Sequence, residues 1–431
     1  MKSRKNYRIF LICWLIIAVL MFVFYFYYLI NKNIPQIIYL TKGEKYRLNI
    51  EMPVSADINS EDIEASYNIA PKAANNIEIK TYGSKFSGED IVVSGENVGT
   101  GRINLKLFGI FALTDVEVRV TEKLDVYPGG QPIGIYLDTD GIMIIGSGEI
   151  ILSDGSKAEP AYGIVNAGDY ILAVNGDSIS SKEELTQYIA QSEGREVVLT
   201  LRRKESIINV KVKPLRCNDG CYRTGIWVRD NTQGIGTLTF VLEDSRFAAL
   251  GHGISDVDTS QLIEVDKGAL YDACIFEIIK GENGKPGSLV GSIDYSEKTF
   301  EGYILANTNE GVFGSIKDVS AFIKDKKTLP VGYSQNVNKG KAYIVCCIDG
   351  YMKKFEIDIE KIDFNSKSNK NMVIRVVDNE LLNTTGGIIQ GMSGSPIIQD
   401  GKMIGAVTHV MVNDPSRGYG IFIEKMLESC E

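Results

Sequence analysis

Histidine is nearly absent from this chain: of 431 residues only His252 and His409 carry an imidazole. Chemistry that needs one must use one of these two. A basic surplus is missing as well. The 46 lysines and arginines face 55 acidic residues, a formal charge of −9, which argues against a nucleic-acid binder with its basic stripe. Cysteines number seven, an odd count matching no disulfide-rich scaffold. Cys217 and Cys221 in "CNDGC" have no second pair at zinc spacing and read as two loop cysteines. Adjacent Cys346 and Cys347 on a strand would point to opposite faces. No HExxH signature occurs, which together with a single apolar span excludes an intramembrane metalloprotease. Neither a metal nor a cofactor is expected, and there is no internal repeat or low-complexity tract.

Apolar residues make up 44% of the chain, enough for full cores, and 43 glycines suit many strands and tight turns. Near the N-terminus, Lys2, Arg4, Lys5 and Arg8 precede an uncharged run from Ile9 to Ile30, long enough to cross a bilayer as a helix. The basic cluster places the N-terminus inside and the remainder outside the cytoplasm. The exit "NKNIPQ" lacks the small residues of a signal-peptidase site, so the segment reads as an uncleaved anchor over residues 1–33.

Residues 34–124 read as short strands between turns, with "DVEVRV" alternating at a period of two, and predict a small β-sandwich. The block at 125–214 holds "GIVNAGDYILAVNGDSI", with Asn175-Gly176 as a tight hairpin turn. A helix comes next, opened by a capping box of Ser181 and Glu184 and carrying Leu185, Tyr188 and Ile189 on its buried stripe. This block resembles a PDZ domain, a fold that takes a peptide as an added strand beside a helix. On that resemblance "PIGIYL" supplies the carboxylate-binding loop, with Gly134 and Ile135 at its centre. From 215 to 431 short strands joined by glycine-rich turns predict one or two closed barrels, with a terminal helix beginning in "IFIEKMLESC".

The chemistry concentrates in "GMSGSPII", Gly391 to Ile398: a serine between small residues, a proline, then an apolar strand. A nucleophile needs its own N–H and a neighbouring one aimed at one small volume, and a side chain at Gly391 or Gly394 would crowd a substrate there. The order of elements (serine turn, hairpin "QDGK", strand "GAVTHV", strand "GYGIFI", terminal helix) resembles that of chymotrypsin-like serine proteases. The resemblance makes Ser393 the nucleophile, the N–H groups of Gly391 and Ser393 the oxyanion hole, and Thr408 and His409 the substrate-cleft strand. Ser395 falls where those proteases carry a second small residue. A serine needs a base, and His252, at the end of the strand in "FAALGHGISD", is the candidate.

The whole layout of anchor, PDZ domain placed before the peptidase, "ALGH", an aspartate and "GGIIQGMSGSPII" resembles the stage IV sporulation protein B peptidase family. That resemblance implies a triad of His252, Asp378 and Ser393; Asp256 and Asp258, near His252, are reserves. It also implies a sporulation-specific serine endopeptidase, exported to the space between the forespore membranes. Such an enzyme cuts itself and then a membrane regulator, triggering processing of a mother-cell sigma factor. Its rivals are a PDZ scaffold with an inactive peptidase domain and a general extracytoplasmic quality-control protease. The expected partners are protein substrates, a peptide ligand of the PDZ domain, and the membrane. Met392 stands where trypsin-type enzymes carry an aspartate that pairs with a new N-terminus, so activation must take another route.

Overall fold

The computed structural model describes residues 2–49, 54–58, 77–82, 90–107, 110–324 and 326–430. It opens with the helix Lys2–Asn33, whose stretch Tyr7–Tyr25 is long and apolar enough to cross a membrane. A two-sheet sandwich comes after it. One sheet runs in the order Ile37–Thr41, Phe111–Thr121, Gly99–Leu107, Val54–Ile58, and the other Lys45–Asn49, Asp90–Gly95, Ile77–Tyr82. Val116, Val118 and Val120 point into their shared core with Ile38, Leu40, Ile91 and Val93, while Glu117 and Arg119 alternate outward, as a half-buried strand requires.

Six strands then close a first barrel: Pro132–Ser147, Val265–Ile279, Phe300–Thr308, Gly311–Ile316, Arg246–Ala249 and Ile226–Val241, the last pairing back onto the first. Its interior holds Ile135, Leu137, Leu238, Phe247, Leu270 and Ile304. A second closed barrel is formed by Gly340–Cys347, Met352–Ile362, Met372–Val376, Arg417–Phe422, Lys402–Val410 and Pro396–Gln399. Phe355, Ile357 and Ile359 alternate into it, and Ile423–Glu428 forms the terminal helix. Two short helices, Val319–Ile323 and Asn379–Thr385, lie where the sequence showed no helical period.

The PDZ-like unit is built as its sequence suggests. Val174 pairs with Asp177 across Asn175-Gly176, both at positive φ (53° and 95°) as a type I′ turn needs. Ser181 caps the helix Lys182–Gln191 by accepting the Glu184 N–H, and Leu185 and Ile189 are buried beneath it. The Glu184 carboxylate reaches back to the N–H of Ser180, one residue before the cap.

The boundary expected at residues 125 and 214 falls differently. Asp125–Pro128 pairs with Phe240 and Val241 and with Leu329 and Pro330, and residues 132–138 pair with 231–237 inside the first barrel. The unit around 142–229 is thus an insertion between the first barrel's opening strand and its next one in the chain. Two strands of 16 residues each, Pro132–Ser147 and Ile226–Val241, run unbroken from one unit to the other. The alternation in "PIGIYLD" fits a strand of either unit, and its barrel partners lie about a hundred residues away, beyond the reach of local pattern.

Gly141 marks the crossing. Its φ is +90°, and a Cβ there would meet Leu172 Cδ2 at 2.8 Å and the Ile171 carbonyl oxygen at 3.0 Å. Gly141→Ala should cost about 1–3 kcal/mol and lower the thermal midpoint of the purified chain; an unchanged midpoint would show that the crossing carries no such constraint.

Candidate active site

The two barrels meet along a cavity of about 480 Å³ lined by His252, Ser393, Thr408 and His409, with Gly391 and Ile135 at its walls. His252 is delivered by a tight turn at the end of the strand Arg246–Ala249, where Leu250 and Gly251 both take φ of 68°. Two asparagines that carried no signal in the sequence hold this region. Asn307 exchanges hydrogen bonds with the backbone of Ile254 and donates to the Ile263 carbonyl. Asn369 donates to the Gly251 carbonyl at 3.4 Å and accepts from the Thr408 hydroxyl at 3.2 Å.

The His252 Nδ1 lies 2.9 Å from the Gly253 carbonyl oxygen. A carbonyl only accepts, so the proton sits on Nδ1 and Nε2 keeps its lone pair for use as a base. Burial pushes the His252 pKa below its usual 6.5, against the opposing pull of that carbonyl. His409 packs against it, tilted by 33° with ring centroids 4.6 Å apart. Burial, with His252 and Lys370 adding to it, lowers the His409 pKa to about 4. Both rings are therefore neutral near pH 7.

The loop 390–394 shows what "GMSGS" accomplishes. Four successive carbonyls each accept a hydrogen bond. Gln390 O accepts from Leu289 N at 2.8 Å, and Gly391 O from the Thr237 hydroxyl at 2.7 Å. Met392 O accepts from Ser395 N and Oγ at 3.0 and 2.7 Å, and Ser393 O from Thr237 N at 3.0 Å. In a trans peptide the N–H points opposite the preceding C=O. Tying Gln390 O and Met392 O behind the loop therefore turns the N–H groups of Gly391 and Ser393 away from those ties, and neither has an acceptor among the described residues. Two unpartnered donors on one turn are what an oxyanion hole requires.

The glycines serve the loop itself. A Cβ on Gly394 would lie 2.1 Å from the Thr237 carbonyl oxygen, and one on Gly391 3.0 Å from the Leu289 side chain. The expected crowding of substrate is in fact crowding by the protein. Met392 is fully buried in the second barrel's core, where an apolar side chain is required.

The Ser393 hydroxyl donates to the Thr408 carbonyl at 2.6 Å, and no hydrogen bond joins it to His252. Thr408 and His409 line the same cavity as Ser393, and the Thr408 carbonyl holds its hydroxyl.

Three expectations give way. Asp378 is not brought to His252: it is the N-cap of Asn379–Thr385, accepting the Leu381 N–H at 3.1 Å, and its second oxygen takes the Glu356 N–H at 3.4 Å. The reserves are also engaged, since Asp256 and Asp258 both bind Arg229. Gly134 and Ile135 do not form a peptide loop: each is paired on both sides, with 234–235 and with 270–271, so their backbone groups are spent within the barrel. The place beside the PDZ helix is taken by residues 222–230. Ile226 to Arg229 pair with 143–147, and Asp230 accepts the Lys182 N–H at the helix start. All seven cysteines are unbridged.

Residues 220–427 match the family model described as SpoIVB peptidase S55, and residues 153–203 match that of a PDZ domain. No curated protein matches significantly. Among solved structures, the chain is similar to the PDZ domain of the SdrC-like protein Lmo2051 from Listeria monocytogenes, at 23% identity over 21% of this chain and 87% of that one, TM-score 0.17. It is also similar to the active form of the Rv3671c protease from M. tuberculosis, at 12% identity over 46% of this chain and 73% of that one, TM-score 0.28.

Two outcomes test this geometry. Asparagine can cap a helix as aspartate does, so Asp378→Asn should keep activity within about threefold, whereas a lost catalytic acid costs about 10⁴-fold. A base at His252 would have to be unprotonated, and burial lowers its pKa, so the acid limb of kcat/KM should fall below pH 6.5. An acid limb at or above pH 7 would reveal a carboxylate partner.

Proposed function

This chain is a PDZ-containing S55 serine peptidase, an endopeptidase, and from that premise we propose that Ser393 is its nucleophile and His252 its general base. The observation that carries the assignment is one cavity holding both side chains beside two unpartnered N–H groups. Substrate entering the cleft competes for the Thr408 carbonyl, the natural acceptor for a backbone N–H, and releases the Ser393 hydroxyl toward His252. Oγ then attacks the scissile carbonyl carbon while its proton passes to Nε2 of His252. The carbonyl oxygen takes the negative charge and is held by the N–H groups of Gly391 and Ser393. Collapse breaks the C–N bond, His252 returns the proton to the leaving amine, and water hydrolyses the acyl-enzyme by the same relay. The Gly253 carbonyl keeps the imidazole in the required tautomer in place of a carboxylate.

We place the enzyme on the membrane through its N-terminal helix, with the barrels outside the cytoplasm, as the preceding Lys and Arg cluster favours. The resemblance of "ALGH" and "GGIIQGMSGSPII" to the stage IV sporulation protein B peptidases supports a finer reading. On it the enzyme works between the forespore membranes and cleaves itself. It then cleaves a membrane-bound regulator, so that a mother-cell sigma factor is processed. A substrate peptide docking beside the PDZ helix would have to displace residues 222–230 of the chain itself, which occupy that place. Because two strands run straight from the PDZ domain into the first barrel, engagement there acts on the peptidase directly.

The full chain in detergent should fragment on incubation, and Ser393→Ala should abolish the fragments while leaving the thermal midpoint unchanged. Equal fragmentation of both proteins would trace the cleavage to another protease.

A further inference from the structure

The nucleophile turn contains a second serine that the peptidase mechanism does not use, and the strand facing it contains a buried threonine with no catalytic role. Both hydroxyls end on the same short loop. Thr237 is 2% exposed and Ser395 is fully buried. The Thr237 hydroxyl donates to Gly391 O and the Ser395 hydroxyl to Met392 O, at 2.7 Å each. These are consecutive carbonyls, and the peptide of the second carries the Ser393 N–H.

We propose that Thr237 and Ser395 are positioning residues for the oxyanion hole: Ser395 fixes the peptide that carries the Ser393 N–H, and Thr237 fixes the Gly391–Met392 peptide that links it to Gly391, whose N–H is the other donor. The inference rests on Ser393 being the nucleophile.

The physical reason is the freedom of the loop. Gly391 and Gly394, at φ of +98° and +96°, can turn their peptides at low cost, because glycine populates many backbone states. Turning a peptide that carries the Gly391 or Ser393 N–H would point its carbonyl into the hole, where a developing oxyanion is repelled. A hydroxyl donor behind each carbonyl opposes that turn, since releasing it leaves a buried donor and acceptor unmade, at about 1–3 kcal/mol. Backbone bonds back up the hydroxyls, with Thr237 N on Ser393 O and Ser395 N on Met392 O. Packing alone does not demand a hydroxyl at these positions. Thr239, two residues along the same strand at a β-bulge, is fully buried with its Oγ1 unpartnered.

Thr239 therefore supplies the control. The full chain, its Thr237→Val, Thr237→Ser, Ser395→Ala, Thr239→Val and Ser393→Ala variants are compared for self-processing rate, rate of labelling by a fluorophosphonate, and thermal midpoint. In labelling, Ser393 Oγ forms a bond to phosphorus as fluoride leaves, the proton goes to His252, and the phosphoryl oxygen occupies the hole. Thr237→Val and Ser395→Ala should each slow both rates about 10- to 100-fold. Thr237→Ser, which keeps the hydroxyl, should stay within about threefold, and Thr239→Val within about twofold. Rates within twofold of wild type in either Thr237→Val or Ser395→Ala overturn the paired role. So does a Thr239→Val chain as slow as Thr237→Val, which would assign the loss to packing. Should Thr237→Val fail to fold, Thr237→Ser decides, and a slow Thr237→Ser with a wild-type midpoint overturns the hydroxyl's part. Wild-type labelling that persists in Ser393→Ala would instead refute the assignment of the nucleophile.

Discussion

The bond from the Thr237 amide to the Ser393 carbonyl joins the two halves of the site. His252 belongs to the first barrel and Ser393 to the second, so the cleft exists only while the barrels keep one register. Thr237, on a strand of the first barrel, grips the nucleophile loop of the second through both its amide and its hydroxyl. The segment at 287–289 adds bonds in both directions to Gln390. Each bond is modest by itself, but together they act on a glycine-rich loop whose conformation is otherwise open.

The same strand gives the PDZ-like unit its mechanical meaning. A domain attached by a flexible linker moves independently of its neighbour. Here the inserted unit shares two hydrogen-bonded strands with the first barrel, and Ile226–Val241 passes from the side of the PDZ helix to Thr237 without interruption. Asp230 anchors it at the helix start, accepting the Lys182 N–H at 2.8 Å and lying near its ammonium group. Asp230 is almost fully buried, so this contact is screened less than a surface pair.

Electrostatically the site is quiet at rest. Among the described residues no carboxylate contacts His252, and the neighbouring His409 adds a second neutral ring. In the proposed mechanism charge appears only when Ser393 gives up its proton, and the groups that would meet it are fixed dipoles: a carbonyl at Nδ1 and two N–H groups at the oxyanion. Oriented dipoles in a half-buried cleft do this without reorganising, which is where their catalytic value lies.

Local chemistry made much of this legible in the sequence. The apolar run after four basic residues, the Asn175-Gly176 hairpin, the Ser181 cap and the alternation of Phe355, Ile357 and Ile359 each depend on neighbours a few residues away. The glycine-serine turn ahead of an apolar strand likewise suggested a nucleophile, and only two histidines competed to be its base. What the fold decided was pairing over distance. Gly134 and Ile135 carry a pattern that fits a PDZ loop or a barrel strand equally, and only partners at 234–235 and 270–271 chose between them. Asp378 could cap or catalyse; the helix that begins beside it claimed its carboxylate. Periodicity and turn propensity are properties of a short stretch of chain, whereas the acceptor that a hydroxyl or carboxylate finds is fixed by whatever the rest of the chain packs against it.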